Sequence, residues 1–183
     1  MDMKTVEVIF TYARMNPPTD GHRRVVERIQ QIAAERGGVA RVYLSETHDQ
    51  DRNPLDKDTK LSLARKAFPN VDIRSAKTVF EAGQDVAVGG DVDAVMIVGE
   101  DRLHGFTKAL TAYVGTDDLP LKSIEILAID RTDDDVSATK ARIAAQSNDW
   151  VAFQAMSPTS DESVTRELFH AVRNGMEARN VTI

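Results

Sequence analysis

Strand-like and helix-like runs alternate along this chain from its first ten residues, and that alternation restricts it to a parallel sheet with helical crossovers. The apolar, β-branched runs are Val6 to Tyr12, Val39 to Leu44, a short Val71 to Ile73, Val92 to Val98 and Ile124 to Ile129. Most are continuous rather than alternating, the pattern of strands covered on both faces. Between them Val25, Val26, Ile29, Ile32 and Ala33 recur at helical spacing, as do Leu61, Ala64 and Phe68, and Leu103, Phe106, Leu110 and Tyr113. After the fifth run come a helix from Ser137, an aromatic stretch at Trp150 to Phe153, and a last helix from about Asp161, with Thr159 and Glu162 spaced as a capping box. Gly37-Gly38 and Gly89-Gly90 stand where helices should stop ahead of strands. The expectation is one α/β domain over residues 1–183: an open parallel five-stranded sheet with helices on both faces, a core at 4–147 and a helical C-terminal extension at 148–183.

Composition narrows the partners. Lys plus Arg is 23 against 29 Asp plus Glu, a net charge of −6, and aromatics are 5% of residues. A nucleic-acid-binding face would need basic residues with interleaved aromatics, so nucleic acid is not expected as a partner, whereas a small anionic ligand is allowed. The absence of cysteine excludes disulfides, thiolate nucleophiles and cysteine metal sites, and the four histidines are too scattered for a zinc cage. The start, Met1-Asp2-Met3-Lys4, lacks an apolar signal core, and the longest clean apolar run, Ala94 to Val98, is far short of a membrane span. A cytoplasmic protein without membrane contact is expected. The sequence leaves the oligomeric state open, a homo-oligomer included.

In open α/β sheets ligands bind beyond the carboxyl ends of the strands. The loop after the first strand reads Phe10-Thr-Tyr-Ala-Arg-Met-Asn-Pro-Pro-Thr-Asp-Gly-His22. Two prolines stiffen it, Thr19 is placed to cap the next helix, and Gly21 and His22 lie in the first turn, where free backbone N–H groups favour an anion; Arg14 adds a cation. Neither GxxxxGK[ST] nor GxGxxG occurs, so the common phosphate cradles are absent. After the fifth strand, Val136-Ser137-Ala138-Thr139-Lys140-Ala141-Arg142 puts two hydroxyls and two cations at a helix start. Lys and Arg there are mildly unfavourable for the helix itself, which a nearby anion would explain.

Together, Asn16-Pro-Pro-Thr-Asp-Gly-His22 resembles the T/HxGH motif, and Val136-Ser-Ala-Thr-Lys-Ala-Arg142 the ISSTxxR motif, of cytidylyltransferase-like nucleotidyltransferases. That superfamily includes pantetheine-phosphate and nicotinamide-nucleotide adenylyltransferases and glycerol-phosphate cytidylyltransferase. The stretch Thr11 to His22 is also similar to members encoded by large tailed phages, for which the compartment would be the host cytoplasm. The resemblance spans residues 4 to about 147 and implies a Rossmann-like fold. Ala13 stands where members usually carry glycine, Met15 where they carry an aromatic, and Ala138 in place of the second hydroxyl. An alanine at position 13 must avoid positive φ or carry strain.

The resemblance implies transfer of a nucleoside monophosphate, AMP first, from a nucleoside triphosphate to a phosphorylated small molecule with release of pyrophosphate. A CTP-using enzyme and a non-catalytic nucleotide-binding regulator of the same fold are the alternatives, the latter kept open by Ala13 and Ala138. The nucleophile is already anionic, so such chemistry asks for donors and cations rather than a strong base. By resemblance His22 and Thr19 would contact the α- and β-phosphates, Ser137 and Thr139 the β- and γ-phosphates, and Lys140 or Arg142 would neutralise charge. Tyr12, Ala13, Arg14, Asn16, Gly21 and Ala138 complete the nucleotide-binding set, with Gly99, Asp101 and Arg102 beside ribose and base. The segment Thr47-His-Asp-Gln-Asp-Arg-Asn-Pro-Leu55, with Lys57 and Lys60 after it, is the expected acceptor side. Mg²⁺ would arrive with the triphosphate, without a dedicated metal site. The Asp133–Asp135 run reads as solvated, Trp150 and Phe153 as core, and His48, His104 and His170 receive no role.

Overall fold

The computed structural model describes residues 5–130 and 134–177. Five strands, β1 (Val6–Ala13), β2 (Val39–Ser45), β3 (Asp72–Ala76), β4 (Val92–Gly99) and β5 (Ser123–Ile129), form one parallel sheet in the order β3-β2-β1-β4-β5. Helices α1 (Asp20–Arg36), α2 (Lys57–Ala67), α3 (Val79–Val86) and α4 (Glu100–Thr111) make the crossovers, followed by α5 (Asp134–Gln146), α6 (Trp150–Ala155) and α7 (Glu162–Glu177). This is the expected Rossmann-like fold. Its central strand is β1, because the chain builds outward through β2 and β3 and then crosses back to lay β4 on the other side of β1. The reversal opens a crevice between the carboxyl ends of β1 and β4, where such sheets bind ligands. The Thr11 hydroxyl donates to the Ile97 carbonyl at 2.8 Å, tying the two strands at that point.

Alternation along each strand divides the core in two. Ile9, Val42, Leu44, Ile73, Val95 and Ile97 face α1, α2, α5, α6 and α7, whereas Val8, Phe10, Tyr43, Val92, Ala94, Met96 and Val98 face the α3 and α4 side. The C-terminal extension belongs to the first of these cores: Phe153, Val164, Leu168, Phe169 and Val172 are buried in the same cluster as Ile9 and Ile29. It is a covering layer of the sheet rather than an appended tail. Trp150 and Phe153 are core as expected, each meeting the Phe169 ring edge-on.

Local readings need four corrections. The helix α3 is absent from the periodicity; at eight residues it is too short for a stripe, and its signal is the Thr78 cap, whose hydroxyl accepts the Glu81 N–H. The third strand runs Asp72–Ala76 rather than 71–73, because polar Arg74 and Ser75 are carried by pairing with β2. The helix expected to start at Ser137 covers Asp134–Gln146, so Ser137 is inside it; its side chain, those of Asp134 and Asp135, and Asp133 lie outside the described residues. At α7 the cap is Asp161, whose carboxylate accepts the Ser163 N–H at 3.0 Å, while the Thr159 hydroxyl accepts the Asp161 N–H upstream. Among the described residues no helix is long and apolar enough to cross a membrane.

The glycine pair between α1 and β2 does what the sequence suggests. Gly37 takes the left-handed conformation, φ 67°, that ends the helix, and the Gly38 N–H bonds back to the Ala33 carbonyl at 2.8 Å. Gly38 then passes so close to β1 that a Cβ would lie 2.8 Å from the Glu7 carbonyl oxygen and 2.7 Å from Ile9 Cδ1. Gly38→Ala should therefore destabilise the fold by about 1–3 kcal/mol through overpacking. The expected signature is a lower urea midpoint at unchanged m-value.

Candidate functional site

The loop between β1 and α1 is anchored before it is functional. Met15 holds a left-handed backbone, φ 45°, which costs a non-glycine residue about 1–2 kcal/mol, and its side chain is buried beside the Ile9 core, which fixes it there. Ala13 ends β1 in regular strand geometry. Ala13 thus avoids positive φ, and the left-handed residue is Met15, two positions later. Asn16, 1% exposed, makes a reciprocal amide pair: its Nδ2 donates to the Leu55 carbonyl at 3.0 Å and its Oδ1 accepts the Leu55 N–H at 2.9 Å. Arg142 Nη1 donates to the Asn16 carbonyl at 3.0 Å. One residue therefore joins the first loop, the loop before α2, and α5.

Thr19 and His22 form the capping box of α1. His22 Nδ1 accepts the Thr19 N–H at 3.0 Å and lies 3.1 Å from the Thr19 hydroxyl. A backbone N–H only donates, so the ring proton is carried on Nε2. The Asp20 N–H is taken by the Met156 carbonyl at 3.0 Å. At this helix start the C-terminal extension engages the Asp20 amide and the capping box those of Thr19 and His22, and the His22 imidazole faces the cavity.

These elements enclose a cavity of about 870 Å³ at the carboxyl edge of the sheet. Its walls include Tyr12, Ala13, Arg14, Asn16, His22, Gly99, Arg102, Ala138, Thr139 and Arg142, so both motif-bearing segments meet across β1 and β4. From the segment expected to hold the acceptor come Thr47, Gln50, Asp51 and Arg52. Asp49 shapes that segment: its carboxylate accepts the N–H groups of Asp51, Arg52 and Asn53 at 2.7–3.2 Å and the Asn53 amide at 2.7 Å, which holds its pKa down to about 2.

Several expected residues do not line the cavity. Thr19 is buried beneath His22, and Gly21 lies inside α1. Asp101 is exposed beside Arg102, which does face the cavity. Lys140 is exposed and points elsewhere, because Thr139, Arg142, Ile143 and Gln146 make the inward stripe at i, i+3, i+4 and i+7, and the next residue after Thr139 is turned about 100° off it. Lys57 pairs with Glu46 at 3.4 Å instead of reaching in. Lys60 is buried, 1% exposed, and its ammonium donates to the Ser45 carbonyl at 2.5 Å, one layer behind the wall. The sequence reading missed Ser45, Phe106, Ile143, Gln146 and Met176 as wall residues. Helical spacing from Thr139 would have found Ile143 and Gln146; nothing local marks Met176, which arrives from α7.

The wall is cationic in an acidic chain: Arg14, Arg52, Arg102 and Arg142 face one carboxylate among the described lining residues, Asp51. Burial, and secondarily the Arg14 charge, push Lys60 from an ordinary 10.5 down to about 8, against the opposing pull of Glu46. The Ser45 hydroxyl is buried at this edge with no hydrogen-bond partner among the described residues. Lys60 generates a prediction. The unfolded chain holds its proton up to about pH 10.5 and the folded chain only to about 8, so this group makes stability rise with pH between those values. Urea midpoints measured across that window should slope upward for the wild type and lose that component in Lys60→Met.

No protein-family model and no curated protein matches the chain. Solved structures do. A candidate nicotinate-nucleotide adenylyltransferase from Vibrio parahaemolyticus superposes with a TM-score of 0.62 at 14% identity, covering 89% of this chain and 98% of its own. A bifunctional NMN adenylyltransferase/ADP ribose pyrophosphatase from Francisella tularensis gives 0.66 at 10% identity, covering 96% of this chain and 54% of the other. Thermotoga maritima TmcAL bound with alpha-thio ATP gives 0.51 at 14% identity, covering 96% and 56%. The chain spans about half the length of the last two proteins. At these identities the likeness is one of architecture, and the chain has the Rossmann-like fold found in these structures.

Proposed function

We propose that the chain is a nucleotidyltransferase that moves AMP from ATP to a phosphorylated small molecule and releases pyrophosphate. The observation that carries this reading is the convergence of four arginines and His22 on one cavity at the β1/β4 crevice of a chain whose net charge is −6. Local reversal of the overall charge is what a polyanionic ligand requires. The preference for AMP is supported by the adenylyltransferase names of two matched structures and by the alpha-thio ATP bound in a third.

In the proposed reaction an acceptor phosphate oxygen attacks the α-phosphorus, the bond from that phosphorus to the bridging oxygen of the β-phosphate breaks, and pyrophosphate leaves with the electron pair. The work left to the protein is positioning and charge stabilisation. His22, with its proton on Nε2, would donate to an α-phosphate oxygen. Thr139 and Arg142, adjacent on α5 with Arg142 Nη2 donating to the Thr139 hydroxyl at 3.1 Å, would hold the leaving pyrophosphate. Arg102 and Phe106 border the side assigned to ribose and base, and Ala13 and Gly99 let the ligand approach the strand ends. The acceptor phosphate would lie toward Arg52, Thr47 and the Ser45 hydroxyl rather than on Lys57. Buried Lys60 would act by its field. Among the described residues no group of three His, Asp or Glu side chains converges on a point, so magnesium is taken to enter as part of the triphosphate substrate.

The test is pyrophosphate release by the purified protein with Mg²⁺, each of the four ribonucleoside triphosphates, and nicotinamide and nicotinate mononucleotides, phosphopantetheine, glycerol phosphate and sugar phosphates as acceptors. Release that requires ATP and one acceptor is expected; CTP dependence would replace AMP by CMP. Nucleotide binding with no release under any pairing would overturn the catalytic reading in favour of a binding protein. His22→Ala should lower kcat by about a hundredfold or more while leaving the ATP Kd within about tenfold. Equal loss of both would remove His22 from the chemistry.

A further inference from the structure

The acceptor-side wall is held from two directions. Residues 49–53 form a closed turn, with the Asp49 N–H on the Asn53 carbonyl at 2.9 Å and the Asp49 carboxylate accepting the amides of Asp51, Arg52 and Asn53. The turn carries Gln50, Asp51 and Arg52 into the cavity. Its exit is pinned on the inner side by the Asn16–Leu55 pair. On the outer side it is pinned by α7. At Gly175 the helix backbone lies so close to Pro54 that a Cβ would stand 2.1 Å from the Pro54 carbonyl oxygen and 2.8 Å from its carbon. Those are backbone atoms between two anchored residues, so they cannot step aside as a flexible side chain would. The next residue, Met176, lines the cavity.

Glycine in the interior of a helix is unfavourable relative to alanine. At Gly105 on α4 a Cβ would meet nothing within 4 Å, so close packing does not account for that glycine. Gly175 is different, because its missing side chain is what lets the extension seat against the turn. We propose that Gly175 is a positioning residue: by allowing α7 to rest directly on the Pro54 backbone, it sets where Arg52 and its neighbours stand relative to the nucleotide side of the cavity. The identity of the ligands rests on the function proposed above, but the coupling of α7 to the 49–55 turn does not.

Two measurements decide it. In the wild type, hydrogen exchange is followed with and without a saturating non-hydrolysable ATP analogue plus inorganic phosphate, the phosphate standing for the acceptor group. Protection is expected to rise together in residues 49–55 and in the last turns of α7, about 172–177. Protection of the turn alone, or of neither segment, overturns the proposal. Secondly, phosphate affinity is measured with the analogue saturating. Gly175→Ala should weaken phosphate by about tenfold while changing analogue affinity by less than about threefold, since displacing a binding group by an ångström is felt mainly where that group acts. Gly105→Ala, the same chemical change without a neighbour, should alter neither. Unchanged phosphate affinity in Gly175→Ala overturns the assignment, and should that variant fail to fold, the wild-type exchange experiment decides alone. A wild type that shows the coupling and binds both probes but transfers nothing would overturn the proposed reaction and leave Gly175 in its role.

Discussion

Asn16 is the residue through which the walls of the cavity are joined. Its side-chain amide satisfies both backbone groups of Leu55, and its own carbonyl receives Arg142. All of this happens in a position that is 1% exposed, where an unpaired amide group would be costly. The first loop, the approach to α2, and α5 are therefore not three independent loops at a sheet edge but one connected rim. Within that rim the left-handed Met15 is held by burial of its side chain, and His22 by the capping box of α1. The motif resemblance assigns Asn16 to the nucleotide; the residue lines the cavity, and its amide also holds the frame through Leu55.

The frame concentrates charge. Arg14, Arg52, Arg102 and Arg142 belong to four different segments, and their convergence gives the cavity a sign opposite to that of the molecule. Lys60 lies behind the wall and contributes through its field, its own proton loosened by burial and by Arg14. Like charges brought together in this way repel one another and are relieved by an anion, which is the physical content of the proposal that the cavity takes a phosphate-bearing ligand. The C-terminal extension is part of the same device. The Met156 carbonyl accepts the Asp20 N–H at the start of α1, Met176 lines the cavity, and Gly175 packs on the Pro54 backbone beside the 49–53 turn.

Much of this is legible in the residues. Continuous β-branched runs announce strands covered on both faces, and they place the strand ends to within a residue or two except at β3, where Arg74 and Ser75 hide a strand that only pairing with β2 sustains. The helix α3 escapes because eight residues cannot display a 3.6-residue period convincingly. At the site, the two segments singled out by motif do meet, and Tyr12, Arg14, His22, Arg102, Thr139 and Arg142 share one cavity. Lys140, Lys57 and Lys60 stand out for charge, which sequence displays, but direction decides whether a charge is used. Lys140 is rotated off the inward stripe, Lys57 is paired with Glu46, and Lys60 is folded under Ser45.

The order of residues alone was enough for the class of fold, the central place of the first strand's loop, and the presence of donors and cations at two helix starts. Hydrophobic period, caps and motif spacing are local quantities, written within a dozen residues. Which cations face the cavity, that the helical extension is a wall rather than a tail, and that Ser45, Phe106 and Met176 line the cavity were settled by the packing of the folded chain. Those facts depend on contacts between segments apart in the chain, from the 15 residues between Lys60 and Ser45 to the 126 between Arg142 and Asn16, and nothing in the local order of side chains specifies the rotation and depth at which such segments come to rest.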